Sequence, residues 1–203
     1  MAVVPEVREL VREEWAEAGL VAARAFFDEE FVVGMLGPEP FERFVGVRHF
    51  YLAEPWDEDA VHLGVFLGDT LVGVVRASPY GRCFVCRHVS PDAPPDDPIL
   101  AKDWVFELGV LRGHAPYDGH AWISRVAVEP SLHGTGLGRL LLEAALDRLA
   151  QDGPGTVLLE CLASREGFYL ARGFTRVEEM PDPNAERSWL MRADLPRSTA
   201  PAS

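Results

Sequence analysis

Val126-Ala127-Val128-Glu129-Pro130-Ser131-Leu132-His133-Gly134-Thr135-Gly136-Leu137-Gly138-Arg139 is the stretch on which the fold turns. An apolar run, Ala121 to Val128, enters it and reads as a strand. A helical pattern from Gly136 to Gln151 leaves it, with Leu137, Leu140, Leu141, Ala144 and Leu149 on one side and Gly153 as its stop. Thr156 to Leu162 follows, mostly apolar, as a strand buried on both faces and parallel to the first. Strand, glycine-rich turn, helix and strand make an α/β unit with a right-handed crossover. Glycine lets a backbone approach a ligand closely, and the amides at a helix start suit phosphate oxygens. The turn therefore predicts a phosphate-bearing ligand, against the plainer reading of a loop that only packs helix on strand. A dinucleotide fingerprint fails, because the sixth position from Gly134 is Arg139. A Gly-Lys-Ser/Thr phosphate loop fails for want of lysine.

Working outward, Glu166 to Arg172 is a short helix closed by Gly173, and Thr175 to Met180 and Trp189 to Ala193 are further strands. Upstream, Val61 to Leu67 and Thr70 to Arg76 form a hairpin around Gly68-Asp69. Helices cover Glu13 to Phe27, Asp28 to Leu36 and Pro40 to Leu52, with Gly37-Pro38 as a break. Val3, Val4 and Val7 suit a strand, whereas Val7, Leu10, Val11 and Trp15 suit a helix, so the start stays open. Ser78 to Gly119 is a Pro-rich loop or insertion centred on residues 90–98. Within it, Asp97-Pro98 caps a helix carried by Ile99, Leu100, Trp104, Leu108 and Leu111 and stopped by Gly113.

Composition removes several classes. The chain has 203 residues and a net charge of −13. Such acidity excludes nucleic acid and anionic membranes as partners. Residues 1–60 hold 5 Arg against 14 acids, or −9 of that total. The acidity thus lies mainly away from the glycine turn, where it favours a cationic acceptor. Three cysteines, no signal pattern and no apolar run long enough to span a bilayer predict a cytoplasmic protein. The expected layout is one domain over residues 1–195 and a disordered tail over 196–203.

Val126 to Pro130, then His133-Gly134-Thr135-Gly136-Leu137-Gly138 and an amphipathic helix, resemble the coenzyme A-binding motif of the GNAT superfamily of N-acyltransferases. Phe168-Tyr169-Leu170-Ala171-Arg172-Gly173-Phe174 is similar to that superfamily's Phe-Tyr-x-x-x-Gly-Phe segment. The resemblance covers roughly Glu6 to Leu195. Ala23-Arg24-Ala25-Phe26, His120-Ala121-Trp122, Leu159-Glu160 and Trp189-Leu190-Met191 resemble the puromycin acetyltransferase-like branch. The resemblance implies one GNAT-like α/β domain, a mixed central sheet with a strand-helix-strand coenzyme A-binding core flanked by helices. It implies acetyl-CoA as acyl donor and transfer to a primary amine of a small molecule, with no acyl-enzyme. A protein amine, or an acyl-CoA sensor without catalysis, is the alternative, and a homodimer is left open.

The resemblance places coenzyme A on Val126, Ala127, Val128, His133, Gly134, Thr135, Gly136, Leu137, Gly138 and Arg139. The amides of Val126 and Val128 would pair with the pantetheine arm, beside a strand that diverges from Thr156 to Leu162. His133 departs from the usual Gln or Arg; a neutral imidazole brings one donor and no fixed charge. Ser164 takes over a contact for which many relatives have asparagine. Tyr169 matches the position that commonly serves as general acid. For the base, Glu160 leads because it stands in an apolar strand. His120 follows, and Ser124 shares its strand parity. Cys83-x-x-Cys86 lacks a second close pair, with His114 and His120 far off in sequence, so no metal is expected.

Overall fold

The glycine turn joins a strand to a helix as its residues dictate. The computed structural model describes residues 3–53, 56–181 and 187–196, so the expected tail lies outside the described residues apart from Pro196. In chain order these hold β1 (Pro5–Glu9), α1 (Trp15–Ala25), α2 (Glu30–Leu36), α3 (Pro40–Ala53), β2 (Val61–Leu67), β3 (Thr70–Ser78) and α4 (Phe84–His88). There follow α5 (Leu100–His114), β4 (Ala121–Val128), α6 (Leu137–Gln151), β5 (Gly155–Leu162), α7 (Glu166–Leu170), β6 (Thr175–Met180) and β7 (Ser188–Leu195).

The strands form one sheet in the order β1-β2-β3-β4-β5-β7-β6. The open question at the start resolves as a strand: Pro5 to Glu9 pair antiparallel with Leu67 to Leu63 of β2. Gly68, at φ +60°, makes the hairpin between β2 and β3. β4 and β5 are parallel, as the apolar runs and the intervening helix require.

Helix α6 covers one face of the sheet. Its buried side chains are Leu137, Leu141, Leu142, Ala145 and Leu149. The stripe is thus rotated slightly from the expected one, with Leu140 and Ala144 only partly buried. They meet Val65, Val75, Ile123, Val157 and Met191. On the opposite face, Ala18, Val21 and Ala22 of α1 and Tyr51 of α3 pack against Val74 and Ala127.

The Pro-rich segment is more than a loop. Its helix α5 completes the second face, with Val110 packed among Trp122, Leu158, Met180 and Leu190. Asp97 caps it as expected, accepting from the amides of Ile99 and Leu100 at 2.9 and 3.1 Å. The buried side of α5 differs from the expected one: Asp103, Gly109, Val110, Gly113 and His114 face inward. Trp104 and Leu111 are only partly covered. Gly113 does not stop the helix; its missing side chain admits Glu178 and Leu190, each 3.1 Å from where a Cβ would stand.

Among the described residues no helix is long and apolar enough to cross a membrane. Gly73 shows how tightly the two halves are clamped. A methyl there would lie 2.9 Å from Val65 Cγ1 and 3.0 Å from both the Ala127 carbonyl oxygen and Leu141 Cδ1. The carbonyl belongs to the neighbouring strand and cannot give way cheaply. Gly73→Ala is expected to destabilise the protein by about 1–3 kcal/mol, read as a lowered urea midpoint; an unchanged midpoint contradicts this packing.

Candidate active site

The site begins where two strands part. β4 and β5 pair only through Ala121↔Val157 and Trp122↔Leu158. Beyond that, β4 continues against β3 alone. The Glu129 amide donates to the Val72 carbonyl at 2.9 Å. Because antiparallel hydrogen bonding alternates, the amides of Val126 and Val128 point the other way, to the side β5 has left. The expected divergence and the two main-chain donors are both present in the geometry.

The turn after β4 is held by its own side chains. His133 Nε2 donates to the Val128 carbonyl at 3.0 Å, and Thr135 Oγ1 to the Leu132 carbonyl at 2.6 Å. Gly134 and Gly136 sit at φ +79° and +92°, which only glycine adopts without strain. The first bond of α6 runs from the Leu140 amide to the Gly136 carbonyl. The amides of Leu137, Gly138 and Arg139 are therefore not spent inside the helix. A methyl on Gly138 would meet Phe168 no closer than 3.6 Å, so packing of the chain does not demand glycine there. Arg139 is well exposed and only loosely paired with Glu143, at 3.8 Å. Donors, glycine and an exposed guanidinium fit a phosphate-bearing cofactor.

A cleft of about 510 Å³ runs from this turn between the parted strands to α1, α2, α3 and α5. Of the expected residues, Ser124, Val126, Ala127, Val128, His133, Gly134, Gly136, Leu137, Gly138, Arg139, Glu160 and Tyr169 line it. Thr135 turns its hydroxyl into the loop, and Ser164 is exposed on the turn before α7, where Arg165 lines the cleft instead. Arg165 reaches Glu29 at 2.5 Å, tying the β5 end to the segment before α2.

His120 lies elsewhere. It is buried against His114, with its Nε2 3.1 Å from His114 Nδ1. Ser124 lines the cleft and His120 does not. At Ser124, β4 carries one extra residue against β3: Arg76 pairs with Arg125, but Ala77 pairs with Ile123. Ser124 is that bulge, and the alternation is reset for the residues that follow it.

Tyr169 stands at the floor of the cleft, edge-on to Phe168 and Phe174 at 5.0 and 5.9 Å. Burial, and then the neighbouring Cys161, raise its phenol above the ordinary value, so it stays protonated. Burial likewise pushes the Cys161 thiol up to about 12, which leaves it unreactive as a nucleophile. Glu160 has both oxygens engaged: Oε1 accepts from His114 Nε2 at 2.7 Å and Oε2 from Trp122 Nε1 at 2.8 Å.

The opposite wall holds residues that sequence reasoning missed. Asp103 and Glu107, one turn apart on α5, line the cleft with Tyr51 and Arg125. Glu107 Oε2 and the Tyr51 hydroxyl are buried without a hydrogen-bond partner among the described residues. Burial pushes the Glu107 carboxyl up to about 8, Asp103 adds to this, and Arg125 opposes it. The signal was available: Asp103, Glu107, Val110 and His114 recur on one helical face. A search for apolar stripes passes over it.

A family model for the GNAT acetyltransferase family matches residues 36–174. Solved structures share the architecture. An entire chain described as a histone acetyltransferase HPA2 and related acetyltransferase, from Corynebacterium glutamicum, aligns over 100% of both chains with a TM-score of 0.65 and 18% identity. The PaiA N-acetyltransferase of Thermoplasma acidophilum, solved in complex with coenzyme A, aligns over 95% of this chain and 99% of its own, with a TM-score of 0.60 and 16% identity. No curated protein sequence matches at a significant level. With the motif, the parted strands and the family match in agreement, the chain belongs to the GNAT family of acetyltransferases.

Proposed function

We propose that the chain transfers an acetyl group from acetyl-CoA directly to the primary amine of a small cationic molecule. The observation that carries this reading is the acidic and aromatic far wall: Glu107 and Tyr51 present to the cleft buried polar atoms that have no hydrogen-bond partner among the described residues, framed by Phe26, Phe31, Phe50 and Phe106. A hydrogen-bond-poor polar pocket with aromatic walls suits an ammonium group. The puromycin acetyltransferase-like branch is a finer assignment that rests on the sequence resemblance. Free Cys83, Cys86 and Cys161 support a reducing cytoplasm as its place of work.

Bound acetyl-CoA supplies the activated thioester. The main-chain amides of Leu137 to Arg139 hold its pyrophosphate, and Arg139 adds charge. The amides of Val126 and Val128 hold the pantetheine arm, and one of them donates to the thioester carbonyl. Tyr169, kept protonated, gives its proton to the departing sulfur. On the acceptor side an ammonium with a pKa of about 10 must lose a proton before it attacks. We assign that task to Glu107 rather than to Glu160, whose oxygens are committed to His114 and Trp122 and which then positions the cleft floor. The groups facing Glu107 are Asp103, Arg125, Glu160 and His114.

Free-thiol release from acetyl-CoA over a panel of small amines, with lysyl and N-terminal peptides beside them, tests the reading. Turnover confined to peptides, or acetyl-CoA binding without turnover, overturns it. Tyr169→Phe is expected to lower kcat about 100-fold with little change in KM for acetyl-CoA. Arg139→Glu is expected to raise that KM about 10-fold and leave the amine KM alone.

Glu107 makes a separate pair of tests. As a base it acts when deprotonated, so kcat/KM is expected to climb with pH through about 8, and Glu107→Gln to remove that limb. For stability the sign is opposite. A raised carboxyl pKa means that the folded chain holds a proton which the unfolded chain has released between about 4.5 and 8. Stability therefore falls as pH rises through this window. Glu107→Gln is expected to flatten that fall and to stabilise the protein at pH 7.5 by about 1–3 kcal/mol, measured by urea titration. A steeper loss in the variant contradicts the burial of Glu107.

A further inference from the structure

Four side chains unused by acetyl transfer meet outside the cleft. Cys83 and Cys86 bracket the first turn of α4, His114 ends α5, and His120 immediately precedes β4. Their ligating atoms all lie within 4.8 Å of one another. His114 Nδ1 is 3.1 Å from His120 Nε2 and 3.4 Å from Cys83 Sγ. In a tetrahedral site with Zn–S near 2.3 Å and Zn–N near 2.0–2.1 Å, neighbouring ligand atoms stand about 3.3–3.8 Å apart. The two shortest contacts are close to that spacing, and the 4.8 Å limit on the cluster exceeds it by about 1 Å.

Each imidazole is also anchored through one of its nitrogens. His120 Nδ1 donates to the Tyr117 carbonyl at 2.5 Å, and His114 Nε2 donates to Glu160 Oε1 at 2.7 Å. A ring that carries its hydrogen on one nitrogen keeps a lone pair on the other. Those lone pairs, on His114 Nδ1 and His120 Nε2, face each other across 3.1 Å. Two ring nitrogens at that distance need a proton or a metal ion between them. A carboxylate or carbonyl behind each histidine is the arrangement that orients metal-ligating imidazoles. Sequence reasoning set a metal aside because the histidines are 28 and 34 residues beyond Cys86 by number; the turn of α5 into β4 closes that gap.

We propose that Cys83, Cys86, His114 and His120 bind one Zn²⁺ as a structural site. Two thiolates and two neutral imidazoles favour zinc over the oxygen-seeking Mg²⁺, Ca²⁺ and Mn²⁺. Each thiol releases its proton to solvent on binding, so the two negative charges cancel the ion and the unit is neutral. Four protein ligands close the coordination sphere, which marks a structural rather than a catalytic metal. Cys83, His114 and His120 are buried, while Cys86 forms the exposed corner. The ion fastens both ends of the Pro-rich segment to the sheet, where α5 turns a partly polar stripe inward.

The test uses the untagged whole chain, purified without chelator and reduced with a phosphine. Elemental analysis is expected to find about one zinc per chain. Cys86→Ser, at the exposed corner, is expected to lose most of that zinc, and Cys161→Ser to keep it. Glu160→Gln is expected to weaken zinc binding about 10–100-fold. Co²⁺ alone, added to metal-stripped protein, is expected to give the intense visible bands of a tetrahedral site with thiolate charge transfer in the near ultraviolet. Reduced, cooperatively folding wild-type protein that holds no zinc and gives no such Co²⁺ spectrum overturns the proposal. So does zinc retained equally by wild type, Cys86→Ser and His120→Ala, which places the ion elsewhere.

Discussion

The contact between β4 and β5 lasts for two registers and then ends, and the rest of the molecule is arranged around that ending. A buried amide without a partner costs roughly 1–3 kcal/mol, so a sheet does not open in its middle without reason. Here the opening is forced by packing on both sides. Leu141, Leu142 and Leu149 hold α6 to one face, and α1 with α3 holds the other. Phe168, Tyr169 and Phe174 brace the floor from α7 onward. The donors of Val126 and Val128 remain at the lip of a cleft that the glycine turn closes at one end.

Much of this was legible beforehand, for a definable reason. The core of β4, α6 and β5 carries strong periodicity, a glycine turn and a stop, and each local preference agrees with the global arrangement. The resemblance to a known family then supplied roles for Tyr169 and for the main-chain amides. The far wall was not legible, because its logic runs against periodicity. Helix α5 buries Asp103 and His114 while Trp104 stays half covered, so an apolar count chooses the wrong side. His133 was legible as a loop residue, but not its bond to the Val128 carbonyl, which depends on how the turn closes.

The two walls of the cleft thus obey different rules. The cofactor wall is made largely of backbone: amides, left-handed glycines and a helix start, which side-chain replacement disturbs little. The acceptor wall is made of side chains, Tyr51, Asp103, Glu107 and Arg125, contributed by three separate elements. Most of the excess acid lies in the first 60 residues and not at the glycine turn, while the acids of the acceptor wall, Asp103 and Glu107, come from α5.

The extra residue at Ser124 has a larger reach than its size suggests. Before it, Ala121 and Ile123 turn toward α6 and Trp122 toward α5. After it, Val126 and Val128 turn toward α6 again, while Ala127 turns toward α1. An uninterrupted strand would have sent Arg125 under α6, into a layer of leucines, and Val126 and Val128 to the far wall. One inserted backbone unit works as a phase shift: it resets which face each later residue serves. A single strand can therefore supply apolar packing to one layer and a guanidinium to an acidic chamber in the other.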